Sequence, residues 1–263
     1  MCGVAGATDR LTLCALMPAP SWYLDPLVAE QKRREHLGLL RTWSDGVPAV
    51  VLKTDLFEEA NGRDELLSAF PAAPMLIGMD LAAVTVARAR ARHLARARFV
   101  VSDVRRLAIV DGSVDLVFSN STLDHFDRRD DLAVALGELV RVLRPGGRAI
   151  VTLDNPRNPL YRLLRRITRR LSSLSHVSLG HTLSREALTD LLRRQGMEIL
   201  GSTTLIHNPR LISTAMYVGL RRALGRRADA PIGWLLRAFA RLGRLPTREY
   251  TACFVAVCAR KPG

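Results

Sequence analysis

From Ala49 to Asp80 the chain reads AVVLKTDLFEEANGRDELLSAFPAAPMLIGMD: an apolar strand, a polar loop, a helix, a second apolar strand and a carboxylate at its end. A continuous apolar strand needs burial on both faces, which places it in the middle of a parallel sheet covered by helices. Strand, loop, helix and strand, with an acid closing the second strand, is the opening of a nucleotide-binding α/β unit. In such units the first loop packs its backbone against the ligand, and the acid accepts hydrogen bonds from ribose hydroxyls. Glycines normally allow that approach, because a Cβ would collide with the ligand. This loop holds only Gly62.

The rest of the chain repeats the alternation. Asp25-Pro26, an N-cap followed by proline at the first helical position, opens a helix to about Trp43. Strands are predicted over Ala49–Leu52, Met75–Met79, Phe99–Ser102, Val114–Phe118, Arg148–Leu153, Glu198–Thr203 and Thr251–Ala259. Helices are predicted over 63–70, 81–93, 132–143 and 184–195, with Arg144-Pro145-Gly146-Gly147 as a sharp turn. This pattern argues for a doubly wound α/β sheet. Polar groups close strands two, three and four at Asp80, Asp103 and Ser119-Asn120, and that edge of an open α/β sheet is where ligands bind.

Four stretches carry a family resemblance: IGMDLA (Ile77–Ala82), FVVSDVRRLAIVDGSVDLVFSN (Phe99–Asn120), ELVRVLRPGGRAIVTL (Glu138–Leu153) and CFVAVCARKP (Cys253–Pro262). In these the chain resembles the class I S-adenosylmethionine-dependent methyltransferases of the small-molecule type. The resemblance implies a mostly parallel, seven-stranded Rossmann-like sheet whose last strand runs antiparallel beside strand six. It implies S-adenosyl-L-methionine as cofactor, with Asp80 on the ribose hydroxyls, Asp103 on the adenine amino group, and Leu81 and Val104 flanking the ring. Ser119, at the end of strand four, would lie near the methyl group. The first motif departs from the family pattern of an acid followed by closely spaced glycines. A wider loop would bring Gly62 close, and Asp55, Glu58 or Glu59 would pair with the methionyl ammonium. A fold that has lost the cofactor is the rival reading.

Residues 1–48 read as a leader and one helix, and 49–263 as the methyltransferase domain. Two stretches exceed the minimal fold: a basic amphipathic segment, 157–175, and a helical insertion, 206–247. In the first, Leu160, Leu163, Leu164, Ile167, Leu171 and Leu174 fall on one helical face, with Arg162, Arg165, Arg166, Arg169 and Arg170 opposite. Such a helix serves either as a lid packed on the core or as a peripheral contact with an anionic membrane. In the second, Ile212, Ala215, Met216 and Gly219, then Ile232, Leu235, Leu236, Phe239 and Leu242, predict a helical cap over the acceptor pocket.

Charge sharpens the choice of partner. Lys and Arg number 39 against 25 Asp and Glu, a formal net charge of +14. An RNA-binding surface would interleave stacking aromatics with these cations. Aromatics are 5% of the chain, so nucleic acid fits less well than a small, apolar or lipid-like acceptor. RNA methylation and a non-catalytic scaffold acting through the Arg-rich helices are the alternatives. Cys2, Cys14, Cys253 and Cys258 form no CxxC pair, which argues against a metal site and fits a reducing, cytoplasmic setting, with or without peripheral membrane contact. Methyl transfer needs a base only where the acceptor keeps a proton. The candidate is His125 with Asp124, just past strand four; His176 and His181 lack a third ligand for a metal.

Overall fold

Seven apolar segments pair into one sheet: β1 (Val50–Thr54), β2 (Met75–Asp80), β3 (Arg98–Val101), β4 (Val114–Asn120), β5 (Leu143–Asp154), β6 (Glu198–Leu205) and β7 (Phe254–Arg260). The computed structural model describes residues 25–62, 65–93, 97–126, 128–170 and 180–263. The leader 1–24 with Cys2 and Cys14, and the loop with Leu171, Leu174 and His176, lie outside the described residues. So do the side chains of Leu164, Ile167, Arg169 and Arg170.

The strand order is β3-β2-β1-β4-β5-β7-β6. Pairing is parallel from β3 through to β5, and β7 runs antiparallel between β5 and β6. The fold is therefore the seven-stranded, mostly parallel sheet that the family resemblance implied. The chain reverses its direction of travel across the sheet between β1 and β4, which opens a crevice at their carboxyl ends.

Helices cover both faces: α1 (Pro26–Trp43), α2 (Phe57–Asn61), α3 (Ala83–His93), α4 (Arg129–Val142), α5 (Pro159–Arg170) and α6 (Arg185–Arg194). Asp25 caps α1 through the Leu27 amide at 3.0 Å, and Ser184 caps α6 through Ala187 at 3.3 Å. Leu132, Leu136 and Leu139 of α4 and Leu188 and Leu192 of α6 pack on one sheet face with Val117, Val151 and Val257. Leu40 of α1 and Val86 and Ala89 of α3 pack on the other with Val51, Leu76 and Phe118. Among the described residues no helix is long and apolar enough to cross a membrane.

Local boundaries shift where long-range pairing overrides sequence pattern. Lys53 and Thr54, expected in the loop, extend β1, because they pair with Gly78 and Met79 on one side and Phe118 and Ser119 on the other. The helix expected over 63–70 reduces to the 3₁₀ turn Leu67–Ala69, while Phe57–Asn61, expected as loop, is helical. Gly62, at φ 71°, ends α2 in the left-handed region. Arg144–Gly147 continues β5 as a bulge rather than a turn, with Leu143 opposite Val114. Thr251 ends a helical turn, so β7 starts at Phe254.

Between β6 and β7 lie α7 (Arg210–Leu224), α8 (Asp229–Ala240) and α9 (Arg248–Thr251). Tyr217, Ala228, Ile232 and Leu236 form a small core against Leu27 and Val28 of α1. Arg221 reinforces it, bonding Asp25 at 2.6 Å and Asp229 at 2.5 Å. The packing turns α7 away from its expected orientation: Ile212, Ala215, Met216 and Gly219 are exposed, and Ser213 and Tyr217 face inward. In α5, Tyr161 is buried, while Leu163, expected on the inner face, is 51% exposed.

Candidate active site

The first loop is built on a buried lysine. Lys53 occupies the penultimate position of β1 and is fully buried, where an unpaired ammonium would be expelled. Its Nζ donates to Glu59 Oε2 at 2.8 Å and Glu58 Oε2 at 3.3 Å, and also to the Asp55 carbonyl. Glu58 Oε1 accepts from Lys32 of α1 at 2.8 Å and from Asn120 of β4 at 2.9 Å, and Glu59 Oε1 accepts the Leu66 amide at 3.0 Å. Burial alone would lower the lysine's pKa, but Glu59 and Glu58 outweigh it and raise it. Burial would raise Glu58, and Lys32 and Lys53 instead hold it well below the usual carboxylate range. Each charge in this knot has a partner. In the folded chain Glu58 and Glu59 serve as internal counterions of Lys53 and Lys32.

A second set of acids rims the crevice. Asp55 sits at φ 67°, a conformation that usually requires glycine, and its Oδ1 accepts the Phe57 amide at 2.7 Å, capping α2. Asp80 closes β2; its Oδ2 accepts the Leu56 amide at 3.0 Å and its Oδ1 the Ala82 amide at 2.8 Å. The acid thus joins the first loop to β2 while remaining partly exposed. Leu81 beside it is partly buried and Val104 is buried. Ser119 is fully buried and accepts from the Thr54 hydroxyl at 2.9 Å, a bond that ties β4 to β1. Gly62 lies against Arg92 of α3; a Cβ there would fall 1.7 Å from a guanidinium nitrogen. Asp103 does not stand free: its two oxygens hold the Arg105 guanidinium, at 2.6 Å for the shortest contact, and Arg105 continues to Asp131 at 3.1 Å.

Past β4, the 3₁₀ turn Leu123–His125 presents the Asp124–His125 pair. Asp124 is buried, and its Oδ2 accepts the Asp154 amide of β5 at 2.6 Å. Among the described residues its Oδ1 has no hydrogen-bond partner, and it lies 4.0 Å from His125 Nε2. Burial, and then the Asp154 carboxylate, push Asp124 up to about 6. Burial and the charges of Glu58 and Asp80 push Asp55 up to about 8. The protein around His125 works to lower its pKa, but Asp124, Asp55, Asp154 and Asp80 outweigh that and raise it. These four acids thus converge on one imidazole. Gly180 completes the turn: a Cβ there would meet the backbone of Asp124, His125 and Phe126 at 2.5–2.6 Å, and His181 donates its amide to Phe126 O at 2.7 Å. No group of three metal-ligating side chains occurs among the described residues.

Residues 62–151, which include β2 to β4 and their polar ends, match the family model of a methyltransferase domain. The match supports the resemblance to class I S-adenosylmethionine-dependent methyltransferases over these residues. A probable S-adenosylmethionine-dependent methyltransferase of Mycolicibacterium smegmatis is 29% identical over 66% of this chain and 64% of its own. The malonyl-[acyl-carrier protein] O-methyltransferase of Pectobacterium atrosepticum is 41% identical over 26% of each chain. Among solved structures, the N-methyltransferase NodS of Bradyrhizobium japonicum with S-adenosyl-L-homocysteine superposes with a TM-score of 0.59 at 16% identity, covering 98% of this chain and 99% of that one. That likeness establishes the shared fold. The chain spans less than a third of the length of the first curated relatives it matches.

The methyltransferase cofactor carries a sulfonium and an ammonium, and the crevice is suited to both. Asp55, Asp80, Asp124 and Asp154 all act electrostatically on His125, and among the described residues Asp124 Oδ1 has no hydrogen-bond partner, where an orphaned carboxylate oxygen is costly. Sequence reasoning placed Asp55, Asp80, Asp124 and His125 at this edge. It missed Lys53, Asp154, Arg105 and Gly180. Asp154 was detectable as the acid ending the fifth strand; Lys53, at the end of an apolar run, carried no such local signal.

Proposed function

We propose that the protein transfers a methyl group from S-adenosyl-L-methionine to a small, apolar or lipid-like acceptor at the carboxyl ends of β4 and β5. The observation that carries this reading is the buried Asp124 carboxylate, unpartnered at Oδ1 and facing His125 beside Asp154 at the sheet's switch point. When bound, the cofactor supplies a methyl group on an electrophilic sulfonium, so the protein's main task is alignment. Asp80 binds the ribose hydroxyls, and Leu81 and Val104 flank the adenine. Asp103 receives the adenine amino group alongside Arg105. Asp55 faces the methionyl end, with Gly62 and Ser119 lining the first loop and the end of β4. His125 takes the acceptor's proton where there is one, and Asp124 stabilises the imidazolium that results.

The names of two relatives, a malonyl-[acyl-carrier protein] O-methyltransferase and a trans-aconitate 2-methyltransferase, support a small acceptor group. The test is calorimetric titration of the folded protein with S-adenosylhomocysteine. Micromolar binding is expected, lost in Asp80→Ala and weakened in Asp80→Asn, which keeps oxygen for the Leu56 or Ala82 amide. Absence of binding by the folded wild type would overturn the reading and favour a non-catalytic scaffold.

A further inference from the structure

The cap helices carry a surface that methyl transfer does not use. At 100° per residue, Ile212, Ala215, Gly219 and Ala223 lie on the side of α7 opposite the buried Tyr217, with Met216 beside them, and all are exposed. A soluble helix normally turns such a stripe inward. On α8, Trp234 stands opposite the buried Ile232 and Leu236 and is 62% exposed. Arginines surround both features: Arg222, Arg226 and Arg227 at the end of α7 and in the turn after it, Arg237 and Arg241 following Trp234. All five are exposed, and none has an acidic partner among the described residues. From 206 to 248 the chain holds nine arginines against one acid, Asp229, which Arg221 already engages.

We propose that this face docks the protein on an anionic bilayer, with the α7 stripe and Trp234 in the headgroup–acyl boundary and the arginines on lipid phosphates. Apolar area on one side of a helix drives shallow insertion, and indole prefers the interface. Basic residues near an anionic surface add attraction roughly in proportion to their number. The exposed stripe separates lipid from nucleic acid as the partner. Single-stranded RNA would be met by several stacking aromatics among the arginines, whereas this face offers one indole beside aliphatic groups. The inference goes beyond the methyl-transfer reading and does not depend on it.

The test is co-sedimentation of the full chain with vesicles of phosphatidylcholine alone and of equal parts phosphatidylcholine and phosphatidylglycerol. Retention is expected on the anionic vesicles, with a blue shift of tryptophan emission that Trp234→Ala removes. Arg237→Gln with Arg241→Gln should weaken retention by about 25-fold, near fivefold for each charge. Arg88→Gln with Arg129→Gln, exposed on α3 and α4, should leave it unchanged. No retention on anionic vesicles would overturn the proposal. So would retention indifferent to the α8 arginines, or displacement of the vesicles by RNA to which the protein binds more tightly.

Discussion

The first-loop knot and the crevice rim both concentrate carboxylates at the carboxyl end of the sheet, and the protein treats them in opposite ways. In the knot, Glu58 and Glu59 face Lys53 and Lys32 and have their remaining acceptor capacity used by Asn120 and the Leu66 amide. At the rim, Asp55, Asp80, Asp124 and Asp154 together raise the pKa of one half-exposed histidine, and among the described residues an oxygen of Asp124 is left without a hydrogen-bond partner. Balanced buried charge belongs to architecture. Unbalanced charge is retained where a ligand supplies the missing cation. The knot also explains how a loop with a single glycine keeps its shape, since ion pairs to α1 and β4 take over what backbone compactness does elsewhere.

Breaking the balance of the knot should have the largest effect. Lys53→Met leaves Glu58 with Lys32 alone and Glu59 with no cation, and removing one partner of a buried pair costs about 3–5 kcal/mol. Urea denaturation should show that loss. Adding Glu59→Gln to Lys53→Met should recover a substantial part of it, because the stranded charge is gone. Equal stability of Lys53→Met and wild type would mean that the knot contributes nothing to holding the loop.

The rim should respond with the opposite sign. Asp124 has its carboxyl pushed to about 6 from an ordinary 3.8, so its protonated form is the one the fold favours. The resulting penalty is absent below the unfolded value, grows as pH rises between the two, and is complete above about pH 6. Asp124→Asn should therefore stabilise the protein by about 3 kcal/mol at neutral pH and by less than about 1 kcal/mol near pH 4. The amide oxygen still accepts the Asp154 amide. The same variant should lose methyl transfer, since a stabilising change at an active site removes the charge imbalance that function uses. A thermal melt at both pH values checks the sign.

The two regions also differ in how far the sequence reveals them. Among the rim acids Asp80 stands where an apolar run stops, so period and position locate it, whereas Asp154, which ends the fifth strand, is passed over. The seven strands were legible from period and position too. The knot joins residues 62 apart, as in Asn120 to Glu58, and no local pattern marks such a pair. Lys53 therefore reads as the start of a loop, and the helix at Phe57–Asn61 escapes notice although Gly62 terminates it. The outward turn of α7 was hidden as well. Helical spacing gives a stripe but not the direction it faces, and Tyr217, packed with Ile232 and Leu236, settled that.

A subtler way to sharpen the contrast is the pH dependence of turnover. The rim acids outweigh burial and raise the His125 pKa above its ordinary 6.5. If His125 takes the acceptor's proton, the rate should rise with pH along a limb centred above 6.5, and Asp124→Asn should move that limb downward. His125→Gln should abolish the limb. A pH-independent rate would assign His125 to shaping the site and point to an acceptor already ionised, such as a carboxylate.

The smallest expected effect concerns Asp103, which stands between the two regimes. Its carboxyl feels a burial penalty, yet the Arg105 guanidinium and amide hold it below the usual range. The pair is more than a third exposed on the arginine side, so water screens it and Arg105→Gln should change stability by less than about 1 kcal/mol. The informative readout is affinity for S-adenosylhomocysteine. If Arg105 competes with the adenine amino group for Asp103, its removal should tighten binding several-fold. If the guanidinium instead shares the carboxylate and covers one face of the ring, as it already lies 5.4 Å from the Phe126 ring centre, binding should weaken. Either change places Asp103 in the cofactor site. An unchanged affinity would move it, with Lys53, to the balanced architecture of the fold.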